Sequence, residues 1–254
     1  MNILFEGKKP GQCGVSTIAI ATAARLAFKG YKVLYIPVSN DIGYIRSWLG
    51  LKQEKDLTKS ISIMYKFIEE SSIKPSDIVL NSVKVNENLW LLDTRNTDLT
   101  DDMFKDVVSY IIGNYKGKDS KGAMFEYVIW DLTKEKRSNY VKAFLREECD
   151  YIVDVRSQNQ FIYNEVDEEL ESMQSKVIVV NNRTTFKLES QNPLLKAINK
   201  FKDNSINIRN MSYFTSRQNR GEMIEQCIEM FNKPDYTEIS VVDGLDSIVR
   251  RLVK

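Results

Sequence analysis

Between Asn2 and Val38 the chain passes from a short apolar strand through a glycine-containing loop into an alanine-rich helix, and then into a second strand. Asn2–Phe5 is the first strand, Pro10–Val15 the loop, Ser16–Lys29 the helix and Tyr31–Val38 the second strand. Gly30 suits the left-handed residue that closes such a helix, because it carries no Cβ to clash. Strands joined through a helix cannot fold back on each other as a hairpin does, so they lie parallel with the helix on a face of the sheet.

The alternation continues along the chain. Between Ile42 and Ser82 the signals are helical, with Ile61, Met64, Tyr65 and Ile68 spaced to line one face, and Leu89–Leu92 is a further strand. Met103–Asn114 is helical, Tyr115–Lys121 is a hydrophilic surface loop, and Phe125–Trp130 is a buried strand ending in Asp131. Asn139–Glu148 is a helix, Tyr151–Val155 a strand, Phe161–Met173 an acidic-faced helix and Lys176–Val180 a strand. From Pro193 the chain is more polar and irregular until Gly221–Phe231 and Leu245–Val253, which space apolar residues as amphipathic helices. The expected fold is α/β, a mostly parallel, doubly wound sheet with helices on both faces. Residues 1–254 read as a single domain, less regular from about residue 193, with no repeat or linker to divide it.

Composition narrows the chemistry. The 254 residues are 43% apolar and 28% charged, which suits a folded chain rather than a disordered one. Thirty-six basic residues oppose thirty-five acidic ones, so the net charge of +1 gives no field that would gather DNA. No histidine is present, which excludes Ser/His/Asp catalysis and zinc–histidine sites. Cys13, Cys149 and Cys227 are odd in number and widely spaced, as expected of free thiols in a cytoplasmic protein. The longest apolar stretch, Ile18–Phe28, contains Arg25 and is too short to span a bilayer. Peripheral contact with a membrane is left open by Arg250, Arg251 and Lys254, although cations at a helix C-terminus are explained by its dipole alone.

The segment Gly11-Gln12-Cys13-Gly14-Val15-Ser16-Thr17 occupies the strand-to-helix turn, where backbone N–H groups and a helix N-terminus bind phosphate. A complete phosphate loop, G-x-x-x-x-G-K-[ST], adds a lysine for the outer phosphates and a hydroxyl for magnesium. Gly14 and Ser16 fit, Val15 stands at the lysine position, and Ser16 is the candidate metal ligand.

With its flanks, Lys9–Ile36 (KPGQCGVSTIAIATAARLAFKGYKVLYI) resembles the opening of the ParA/MinD family, whose loop reads K-G-G-x-G-K-[ST]. Gly11, Gly14, Ser16 and Thr17 match; Pro10 replaces the signature lysine and Val15 the second. The family's second strand ends in D-x-D, where this chain has Pro37 and Ser39. Further on, FEYVIWD ending in Asp131, Cys149–Val153 and VIVVNNR ending in Asn182-Arg183 resemble the family's later strands. The resemblance spans roughly residues 1–190. It implies a P-loop NTPase-like fold, ATP and magnesium as cofactors, and cofactor contacts from residues 11–17, Asp131, Asn182 and Arg183.

The substitutions imply a different activity. Phosphoryl transfer depends on positioning and charge neutralisation, so loss of both lysines and of the carboxylate at Pro37 implies slow or absent hydrolysis. Backbone N–H groups, Ser16 and the helix dipole remain for binding. The resemblance then implies a degenerate localisation or assembly factor of the TadZ/CpaE type, linked to pilus or secretion machinery. It would act through a protein partner or self-association at the loop face, and dimerise as expected without ATP because Pro10 makes no cross-dimer lysine contact. An active ATPase of partition or septum placement would carry the lysines. A regulatory subunit of polysaccharide export would carry a tyrosine-rich tail, and Gly244–Lys254 has no tyrosine.

Plainer readings of the same residues stand beside these. Ser16 and Thr17 also suit helix capping, Asp131 a polar strand end, Asn182 and Arg183 a turn, and Cys13 a small buried filler.

Overall fold

The computed structural model describes residues 1–7, 13–38, 43–51, 60–94, 99–116, 118–119, 122–132, 139–157, 168–184, 205–209, 221–235 and 238–253. Strands β1 (Asn2–Glu6), β2 (Val33–Pro37), β3 (Ser82–Lys84), β4 (Leu89–Leu92), β7 (Tyr127–Leu132), β8 (Tyr151–Ser157), β9 (Val177–Thr184) and β10 (Ser205–Arg209) form one eight-stranded sheet. Its order is β10-β9-β8-β1-β7-β2-β4-β3. All neighbours run parallel except β3, which returns antiparallel along β4. The expected mostly parallel α/β sheet is therefore what the chain forms.

A parallel sheet buries both faces, so its strands alternate between two cores rather than between core and water. In β1, Ile3 and Phe5 face one core and Leu4 the other. In β7, Tyr127 and Ile129 face the first, and Val128, Trp130 and Leu132 the second. The first core is closed by helices α1 (Val15–Phe28), α2 (Gly43–Trp48), α8 (Met223–Asn232) and α9 (Ile239–Leu252). The second is closed by α3 (Ile61–Glu69), α4 (Ser76–Leu80), α5 (Asp101–Asn114), α6 (Asn139–Glu148) and α7 (Glu168–Ser172). Trp130 is wholly buried in the second core, and truncating it to alanine would cost about 3–5 kcal/mol.

Helix α1 is nearly all buried because it lies between the sheet and a second helical layer, α8 and α9. Its many alanines allow that close approach. Gly30, at φ 92°, ends it as expected: Tyr31 N–H donates to the Leu26 carbonyl and Gly30 N–H to that of Ala27, the Schellman pattern. One polar cluster ties the layers together. The Arg25 guanidinium donates twice to Asp246 of α9, at 3.0 and 2.7 Å, and stacks over the rings of Phe28 and Phe231. A second tie is made of backbone alone: a Cβ built on Gly50 would meet the Gly221 carbonyl oxygen at 2.7 Å, and one on Gly221 the Ser47 carbonyl at 2.8 Å.

The structure corrects several expectations. Within the expected surface loop Tyr115–Lys121, Lys118–Asp119 (β5) pairs with Gly122–Ala123 (β6) as a small antiparallel hairpin. Strand β7 runs on through Asp131 to Leu132, so Asp131 lies inside the strand rather than after it. The polar tail contributes β10, which pairs with β9, and α9 packs on β10. Of the expected helix Phe161–Met173, residues 168–172 are helical and 161–167 lie outside the described residues.

Burial works against it, but the hydrogen bonds from Arg25 and Lys29 hold the Asp246 carboxyl below its ordinary value of 3.8. A carboxyl lowered on folding adds stability that is complete above its unfolded value and fades as the pH falls through the folded one. Asp246→Asn should therefore lower the melting temperature by a constant amount above pH 3.8, and the gap from wild type should close below it. Melting curves across the acid range check this; a gap that persists undiminished at the lowest pH would contradict it.

Candidate functional site

The strand order changes direction at β1. The chain steps from β1 to β2 on one side and later from β7, across β1, to β8 on the other, which opens a crevice at the carboxyl ends of β1, β7 and β8. Ligands of open α/β sheets bind at such a switch point. The loop before α1 ends here, with Cys13 and Gly14 described and Gly11 and Gln12 lying outside the described residues, as do Lys8, Lys9, Pro10 and Ser39.

Gly14 takes left-handed angles, φ 76° and ψ 30°, and is the residue from which α1 starts. Its carbonyl accepts from Ile18 N–H. Because the turn is made by Gly14 itself, neither Ser16 nor Thr17 occupies the capping position, and no side chain caps the helix. The capping reading of these residues is thus corrected. Cys13 is buried, as the filler reading expected, and its carbonyl accepts 2.9 Å from the Asn182 side-chain amide of β9. Asn182, expected near a nucleotide base, holds the turn that leads into α1 by this bond. A Cβ on Gly14 would lie 2.4 Å from that same amide nitrogen. Arg183 follows in β9, its side chain outside the described residues.

Val15, at the lysine position, is 2% exposed and belongs to the first core. Ser16 is buried; Thr17 is half-buried. Pro37 ends β2 opposite Asp131, and its carbonyl accepts from Thr94 at 2.6 Å. Position 37 itself carries no carboxylate.

Asp131 is 1% exposed and accepts a short hydrogen bond from the hydroxyl of Tyr35 in β2. Ser16 lies 3.5 Å from the Tyr44 hydroxyl of α2. Burial, reinforced by the Asp131 charge, raises the Tyr35 hydroxyl well above its ordinary value, so it stays a neutral donor. Of the expected metal-side residues, Asp131 is matched by the Tyr35 phenol and Ser16 stands against the hydroxyl of Tyr44. Nothing in the sequence reading singled out Tyr35. The available signal was one hydroxyl in a strand otherwise aliphatic and buried, a group that needs a partner inside.

Other acids of this edge are also buried and paired. Glu6 at the end of β1 receives the Arg146 guanidinium of α6, with a closest approach of 2.6 Å. Asp93, just past β4, pairs with Arg46 of α2 at 3.0 Å, and Asp154 of β8 with Arg156 at 2.6 Å. Among the described residues no group of three or more Cys, Asp or Glu side chains is arranged to hold a metal ion.

The loop geometry predicts that Gly14→Ala and Asn182→Ala are both destabilising. Alanine at 14 must adopt left-handed angles and displace the Asn182 amide, and alanine at 182 leaves the buried Cys13 carbonyl without this donor; each should cost about 1–3 kcal/mol. Urea unfolding of the single and double variants measures it. Removing Asn182 relieves the clash, so the double variant should be less destabilised than the sum of the singles.

No family model and no curated protein sequence matches the chain. Solved structures do. A ParA family ATPase from Chlorobium tepidum TLS superposes with a TM-score of 0.67 at 14% identity, covering 96% of this chain and 98% of that one. MinD from Pyrococcus horikoshii OT3, complexed with Mg-ADP, gives 0.68 at 13% identity over 99% and 96% of the two chains. The MinC:MinD cell division complex of Aquifex aeolicus gives 0.67 at 18% identity over 98% and 94%. At these identities the likeness is one of fold over the whole chain, and it agrees with the strand order and the turn before α1: this protein has the ParA/MinD-type P-loop fold.

Proposed function

We propose that this chain is a degenerate ParA/MinD-like localisation or assembly factor that binds adenine nucleotide weakly or not at all and does not turn it over. The observation that carries the reading is Val15, an apolar core residue where the loop would place a cation against the outer phosphates. Pro37 supports it, since a proline at the end of β2 orients no water. Among the described residues, Gly14, the first N–H groups of α1 and Ser16 are groups that could hold a phosphate. The Mg-ADP complex of the Pyrococcus MinD supports an adenine nucleotide as the ligand class.

The partner is a protein. The Aquifex likeness is to a MinD bound to MinC, which supports docking of another protein or of a second copy of this chain on the loop face. No helix among the described residues is long and apolar enough to cross a membrane. Within this class the TadZ/CpaE type, acting at pilus or secretion machinery in the cytoplasm, fits a loop without lysines. An active ATPase of the partition type remains the competing reading, and turnover decides between them.

Two measurements test the proposal. Phosphate release from ATP should equal a buffer control for the wild type and for Val15→Lys. The lysine should nonetheless tighten nucleotide binding, as a charge-assisted hydrogen bond adds about 1.5–3 kcal/mol, while crowding the core enough to lower thermal stability. Robust magnesium-dependent hydrolysis by the wild type would overturn the reading. In sedimentation, any dimer should form equally with and without ATP; a monomer that dimerises only on adding ATP would contradict the proposed mode of association.

A further inference from the structure

We draw no further inference here: the strongest candidate, the buried side-chain amide of Gln226 in α8, has neither of its polar atoms hydrogen-bonded, but nothing among the described residues shows what would bind there.

Discussion

A carboxylate taken out of water has to be matched by a donor or a cation, and the carboxyl edge of this sheet is organised by that requirement. Glu6, Asp93 and Asp131 sit at or near the ends of β1, β4 and β7, and Asp154 in β8 lies opposite Glu6, none more than 2% exposed. Each has drawn in a partner from the chain itself: Arg146 from α6, Arg46 from α2, the Tyr35 phenol from β2 and Arg156 from β8. Removing one member of such a pair leaves an uncompensated buried charge, which is the costly case. The pairs therefore tie α2 and α6 to this edge.

Much of the fold was readable from spacing. The first strand–helix–strand unit, the helix Asn139–Glu148 and the strand Leu89–Leu92 follow from apolar periodicity long or regular enough to have one interpretation. What escaped were short or polar edge elements. β3 offers Ser82, Val83 and Lys84, and β10 the mixed run Ser205–Arg209; such strands are made by the neighbour they pair with rather than by their own pattern. The hairpin at residues 118–123 was hidden in a run of lysine, glycine and aspartate that reads as loop.

The site was legible in part. The loop, Ser16 and Asp131 could be placed by position, because a strand-to-helix turn and a strand end are local features. The phenol that bonds Asp131 could not. Tyr35 and Asp131 are far apart in sequence, and the pairing depends on β7 lying beside β2, with β1 on its other flank. Asn182 shows the same limit: its amide meets Cys13 because β9 lies two strands from β1, a fact of topology rather than of motif. Cys149 and Cys227 are chemically quiet for a related reason, since burial pushes both thiols far above the range in which they ionise.

The contact between Gly50 and Gly221 has a mechanical meaning. Most packed elements meet through side chains, whose rotamers can shift to absorb a small displacement of one helix before its neighbour feels it. Here main chain rests on main chain at the end of α2, and neither residue has anything to rotate. The same short helix carries Tyr44 beside Ser16 at one end of its path. A side chain on either glycine would therefore have to push the end of α2 away from the segment leading into α8.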